Sequence, residues 1–329
     1  MSKFLNNPAD AVVESLRGFA RANRGIVRLV ESPRHVVRAE RVGGKVALIS
    51  GGGSGHDPLH AGFVGKGMLD AAVPGEVFSS PSVEQILAAA EAADGGAGVL
   101  CIVKNYAGDI MNFELAMELF DGEHATVIVE DDVGAAGGGE TVGRRGVAGT
   151  VVVEKVAGAA AERGASLKEC AAIAQAAASA TRSMGVALGG CRVPTADRPN
   201  LELDPGTMEI GIGIHGEPGR RRAPVAPAAA IARELVEAVL DDLAPPAGAP
   251  LLLFVNGLGG TPPMELFILY DEAVRILEER GYDVARSLVG DLVTSLEMPG
   301  ASITLTHLQG RLPELWDDPV LTAGLRWGV

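Results

Sequence analysis

One recurring unit constrains this chain more than any other feature: a short apolar run, a glycine-rich or polar loop, then a segment of helix length. The apolar runs span residues 45–50, 98–103, 126–129, 208–214, 251–255 and 302–306. The helix-length segments span 9–22, 82–93, 112–120, 151–163, 166–183, 227–243 and 264–281. Strands that alternate with helices predict an α/β protein with mostly parallel sheets, because parallel neighbours need a crossover that a helix supplies. Ser166 followed by Glu169 fits a capping box that opens one helix, and Gly281 fits the stop of another.

At 329 residues the chain has room for two domains of roughly 150 residues each. Pro194, Pro199 and Pro205 crowd one polar stretch, so the expected division is an N-terminal α/β domain at 1–190 and a C-terminal α/β domain at 191–329. The proline-rich segment 245–250 reads as a connector inside the second of these. No internal repeat is evident.

Charge narrows the function. With 28 Lys and Arg against 42 Asp and Glu, the net charge is −14, which repels phosphate backbones and anionic lipid. Neither nucleic acid nor membrane is an expected partner. The richest apolar stretch, 146–161, carries Glu154 and Lys155, and the opening residues do not resemble a leader, so a soluble cytoplasmic protein is expected. Cys101, Cys170 and Cys191 are dispersed and odd in number, which suits reduced thiols, with Cys101 and Cys170 as core filler. Of the six histidines only His56 and His60 are close, and Asp57 breaks the zinc-hydrolase pattern, so no metal site is expected.

Three loops at strand ends are the places where an open α/β sheet binds ligands. The first, GGGSGHDP at 51–58, exposes successive backbone N–H groups but lacks the lysine of a phosphate-binding loop. The second, KNYAGD at 104–109, sets a cation, an amide, a phenol and a carboxylate side by side. The third, GIGIHGEPG at 211–219, places His215 among small residues, and no helix opens after it. Each has a plainer reading: a tight turn with His56 capping a helix, Asp109 capping a helix that begins near Asn112, and a structural His215. Together they favour one site containing His56, Asp109 and His215. A fourth loop, NGLGGT at 256–261, has a supporting role at most. Arg220, Arg221 and Arg222 read as a solvated loop, Asp131-Asp132 as a turn, and Asp241-Asp242 as a helix end.

GGGSGHDP, KNYAGD running into IMNF, and IHGEPG at 214–219 resemble the substrate-binding K subunit of dihydroxyacetone kinases, in order and spacing along nearly the whole chain. Asp57 stands where the family usually has Glu, which leaves His56 in register. The resemblance implies a two-domain α/β subunit, typically a homodimer, acting as a phosphotransferase of glycerol metabolism. It implies that His215 attacks the ketone to form a hemiaminal, with His56 and Asp109 as the acid/base pair. Substrate contacts are implied at Gly53, Ser54, Gly55, His56, Lys104, Asp109 and His215. Imidazole titrates near about 6.5, so a neutral nucleophile is available at ordinary pH. Only a carbonyl can be captured, so glycerol is rejected by reactivity.

The sequence offers neither a Walker loop nor an Asp-rich metal cluster. ADP or ATP with Mg is therefore expected on a separate nucleotide-binding L subunit, with no cofactor bound by this chain. Two rivals stand beside this reading: a subunit of a kinase for another short keto-sugar such as erythrulose, and a dihydroxyacetone-sensing coregulator. Retained His56 and Asp109 favour a kinase over a sensor, which needs only the hemiaminal histidine.

Overall fold

The computed structural model describes residues 3–135 and 143–329. A first sheet is built from β1 (Val27–Glu31), β2 (Arg34–Arg38), β3 (Ala47–Ser54), β4 (Ala71–Val77), β5 (Val99–Lys104) and β6 (His124–Val129), in the order β1-β2-β4-β3-β5-β6. Its β4-β3-β5-β6 portion is parallel, as expected. A second sheet holds β7 (Thr181–Ala187), β8 (Thr207–Ile210), β9 (Arg221–Pro224), β10 (Pro250–Gly257), β11 (Asp283–Gly290) and β12 (Gly300–His307), in the order β11-β10-β12-β7-β8-β9.

The two-sheet α/β architecture matches the expectation, but the second sheet departs from "mostly parallel". Only β10–β11 is a parallel pair there, and the other pairs are antiparallel. The reason is connectivity: β7 to β8 and β8 to β9 are joined without a helix, which favours antiparallel neighbours, and β12 follows β11 without a helix and returns antiparallel on the far side of β10. The sheets also change over before residue 190, because β7 already belongs to the second. Residues 180–183, expected as helix, leave it because Thr181 and Ser183 turn their hydroxyls onto Thr306 and Thr304 across the strands. Gly211, at φ +84, ends the strand expected over 208–214 after Ile210.

Helices α1 (Ala11–Ala22), α2 (Val83–Ala93), α3 (Ala107–Leu119), α4 (Gly149–Glu162), α5 (Leu167–Ser179), α6 (Ala228–Leu243), α7 (Pro263–Glu279) and α8 (Leu312–Asp317) complete the layers, with a terminal hairpin of β13 (Val320–Leu321) and β14 (Arg326–Trp327). Ser82 with Gln85 and Ser166 with Glu169 form capping boxes that start α2 and α5. One face of the first sheet packs on α2 and α3, through Val73, Ile86, Val103 and Phe113. The second sheet buries its outer face on α6 and α7.

Between the two sheets lies α4, buried at every position from Gly149 to Ala161. A helix that is apolar on all sides belongs inside, and this explains the long apolar stretch in the sequence. Strand β10 shows the same logic at period two: Leu252 and Phe254 join the α4 core, while Leu251, Leu253 and Val255 join the α6–α7 core. The C-terminal α8 returns to pack on α4, so the end of the chain closes over the first unit. Among the described residues, no helix is long and apolar enough to cross a membrane. All three cysteines are free and buried.

Candidate active site

Three loops converge where the ends of β3 and β5 meet the turn after β8. The β3 loop supplies His56. Its Nδ1 lies 2.7 Å from the Thr294 carbonyl oxygen, which only accepts, so Nδ1 carries the proton and Nε2 keeps its lone pair. Burial, with His215 and Lys104 close by, holds His56 well below the ordinary imidazole pKa, so it is neutral. It therefore anchors to the β11–β12 loop and does not cap a helix.

Phe78 stacks on the His56 ring at 5.1 Å between centroids. Phe78 and Leu296 both adopt positive φ, +57 and +52, and both press against the glycine loop. Left-handed backbone costs an L-residue about 1–2 kcal/mol, so this loop holds its neighbours in a conformation they would not choose.

Lys104 ends β5 and is fully buried. Its Nζ lies 3.3 Å from Gly51 O, 3.5 Å from Asp109 Oδ2 and 3.0 Å from His60 Nε2. A side chain at Gly52 would have to displace this ammonium, because its Cβ would stand 2.2 Å from the nitrogen. Helix α3 opens at Ala107 with Tyr106 as its N-cap residue, so Asp109 sits in the first turn and is not the cap of a helix beginning near Asn112. In that place it faces Lys104 and has the favourable field of a helix N-terminus.

His215 is half-buried on the turn after β8. Its Nδ1 lies 2.7 Å from Glu217 Oε1, and its backbone N–H donates to Glu217 Oε2 at 2.9 Å. Burial alone would raise the Glu217 pKa; the hydrogen bond to His215 and the attraction to that ring's protonated form, together with Arg145, outweigh it and bring it down to about 2. The His215 ring meets His56 edge-on at 4.8 Å and Tyr106 at 4.7 Å, and Phe78 at 5.3 Å. Burial and the Glu217 charge push the Tyr106 phenol well above its ordinary value, so it remains a donor.

The structure thus brings His56, Asp109, Lys104 and His215 together, with Gly53 and Gly55 in the loop that frames them; the Ser54 hydroxyl instead donates to Gly75 O. Three buried polar atoms of this cluster have no hydrogen-bond partner among the described residues: His56 Nε2, Asp109 Oδ1 and Tyr106 Oη. Two are acceptors and one is a donor. Such atoms are costly to leave bare and mark where a ligand's polar groups belong.

Sequence reasoning passed over Glu217, Tyr106, Phe78, Thr294, His60 and Glu154. Glu217 and Tyr106 lay inside the quoted motifs, and a carboxylate two residues after a histidine in a tight turn was the available signal for the first. Asp131-Asp132, expected as a turn, is a buried support. Asp131 accepts from the N–H groups of Val147 and Gly149 at 2.8 and 2.7 Å, at the start of α4. Asp132 pairs with Arg145 at 2.7 Å, and Arg145 also donates to Gly211 O below the His215 turn. The three arginines expected as a solvated loop border and open edge strand β9. Arg220 donates to Val133 O, Arg221 pairs with Glu234, and Arg222 pairs with Glu209. Asp242, near the end of α6 as expected, bridges Arg144 and Arg182.

Comparison with known proteins identifies the relatives of the whole chain. Residues 17–324 match the Dak1 domain. The chain is 45% identical, over 97% of its own length and 97% of the relative's, to the dihydroxyacetone-binding subunit DhaK of PTS-dependent dihydroxyacetone kinase 1 from Listeria innocua. The crystal structure of the dihydroxyacetone kinase of C. freundii superimposes with a TM-score of 0.90 at 38% identity, covering 99% of this chain and 60% of that one. A dihydroxyacetone kinase operon co-activator superimposes at 0.89 and 33% identity, covering 94% and 96%. Family match, near-complete relatives and the three motif loops agree: the chain belongs to the Dak1 domain family, with the dihydroxyacetone-binding subunits among its relatives.

Proposed function

We propose that this chain captures dihydroxyacetone covalently on His215 and presents a hydroxyl of the bound ketone for phosphorylation. The observation that carries the reading is the match of polar atoms. The ketone has two hydroxyl donors and one carbonyl; the site has two bare acceptors, His56 Nε2 and Asp109 Oδ1, one bare donor, Tyr106 Oη, and an imidazole facing them.

Because Glu217 holds the proton on Nδ1, the His215 Nε2 lone pair is the nucleophile. As the N–C bond forms, the carbonyl π pair moves to oxygen, which takes a proton from solvent. The Glu217 carboxylate offsets the positive charge that the ring acquires. Asp109 or His56 then accepts the proton of the free hydroxyl as it attacks phosphorus, a contribution typically of about 10²–10⁴.

The phosphoryl donor and its metal belong, in this reading, to a separate nucleotide-binding subunit carrying ADP or ATP with Mg. Likeness to a relative named as the dihydroxyacetone-binding subunit of a PTS-dependent kinase supports that division of labour. A homodimer of this chain is part of the same reading. The near-equal likeness to an operon co-activator makes ketone sensing the specific alternative.

Intact-protein mass spectrometry after incubation with dihydroxyacetone, erythrulose and glycerol tests the capture step. An adduct with a ketone but not with glycerol is expected, and a folded sample that binds the ketone without any adduct would overturn hemiaminal capture. Phosphorylation in the presence of a nucleotide-binding partner subunit separates the kinase from the sensor.

A further inference from the structure

Behind the site runs a buried line of groups that this reading of the reaction leaves unused. His60 Nδ1 lies 2.6 Å from Glu154 Oε1, and His60 Nε2 lies 3.0 Å from Lys104 Nζ, which in turn faces Asp109. Glu154 stands on the central helix α4 and is completely inaccessible, and its second oxygen has no partner among the described residues. Ser50 Oγ, which donates to Ile102 O, closes the side of the line at 3.0 Å from Nδ1. The titratable or charged groups facing Lys104 are Asp109 from α3, His60 and His56 from the loop after β3, and Glu154 from α4; the Tyr106 ring lies 6.0 Å away.

We propose that His60 and Glu154 are positioning residues for phosphoryl transfer: they share the Lys104 proton and so adjust the charge beside Asp109 as Asp109 gains a proton. The inference rests on the reading given under Proposed function.

Two arrangements conserve the protons. In the first, Lys104 is an ammonium donating to Nε2, and the Nδ1 proton is donated to the Glu154 carboxylate. In the second, one proton has passed from Nζ to Nε2 and the Nδ1 proton has passed to Glu154, leaving an amine, a neutral imidazole of the other tautomer and a carboxylic acid. While Asp109 is a carboxylate, the ammonium is favoured. Once Asp109 has taken the hydroxyl proton, the first arrangement leaves two separated buried ions and the second leaves none, which low polarity favours. Burial pushes the Glu154 pKa up to about 8, so its protonated form is accessible, and His60 is held neutral.

The test uses the chain with its nucleotide-binding partner and phosphoryl donor. Glu154→Gln cannot accept the proton, and His60→Asn breaks the link to Lys104. In both, the adduct with dihydroxyacetone and its KM should stay within about threefold of the unsubstituted chain, kcat should fall at least about tenfold, and the alkaline limb of kcat should move to lower pH. Adduct and turnover in the unsubstituted chain verify the underlying reading independently. With both present, unchanged kcat and pH profile in the variants overturn the relay, and so does a parallel loss of adduct, KM and kcat. A measurement that needs neither variant is infrared spectroscopy of Asp109→Asn, which mimics the protonated carboxyl. Above the pH of about 8 at which Glu154 titrates, where the unsubstituted chain holds it as a carboxylate, a protonated-carboxyl band should appear in the variant alone, and its absence there overturns the proposal.

Discussion

Glu217 takes the His215 ring Nδ1 on one carboxylate oxygen and the His215 backbone N–H on the other, at 2.7 and 2.9 Å. One short turn therefore fixes both the tautomer and the orientation of the candidate nucleophile. Glu217→Gln should keep the turn but lose the charge that offsets a developing cation. Charge-assisted bonds contribute about 1.5–3 kcal/mol, so ketone capture should weaken by roughly ten- to a hundredfold. A titration of adduct yield against dihydroxyacetone concentration reads this directly.

Capture and transfer should separate by residue. His215→Ala should abolish the mass adduct. Asp109→Asn should retain it while phosphorylation with the partner subunit drops by about 10²–10⁴, the range for loss of a general base. Adduct on His215→Ala would move the nucleophile elsewhere, and full turnover by Asp109→Asn would remove it from the proton transfer.

Gly213 has no room for a side chain. A Cβ there would lie 2.1 Å from Glu217 Oε2 and 2.5 Å from Arg145 Nη1. Gly213→Ala should displace Glu217 and cost about 1–3 kcal/mol of stability through overpacking. The expected signature is a folded protein with impaired capture, checked by denaturant unfolding beside the adduct assay.

His56 gives a pH-dependent signature. Its folded pKa is depressed by burial, so on acidification the unfolded chain takes up a proton near pH 6.5 that the folded chain refuses. The His56 contribution to stability is thus present above that pH and lost as pH falls below it. Compared with His56→Asn, the unsubstituted chain should lose up to about 1.4 kcal/mol per pH unit more below 6.5. Urea midpoints of both proteins across that range provide the check, and parallel curves would count against a buried neutral His56.

Much of this was legible in the sequence, and the rest was not for identifiable reasons. Local patterns carried the capping box at Ser166, the parallel heart of the first sheet and the three loops with His56, Asp109 and His215. Strands β1, β2, β4, β7, β9 and β11 escaped because they are short, polar or interrupted: β4 contains Pro74 and Gly75, and β9 opens with two arginines. The roles of Glu154 and Lys155 were hidden too. In the sequence these two charges served only to argue against a membrane span, whereas packing between two sheets buries both. Lys155 donates to the Leu315 carbonyl on α8, and one Glu154 oxygen meets His60. Such partners lie far along the chain, and periodicity says nothing about them.

The bond from His56 to the Thr294 carbonyl spans 238 positions of sequence. During synthesis the glycine loop emerges long before the carbonyl that orients its histidine, which follows 238 positions later. A nascent chain that has not yet reached Thr294 holds all three motif loops without the carbonyl that orients His56, so the pocket assembles only after β11 has been made.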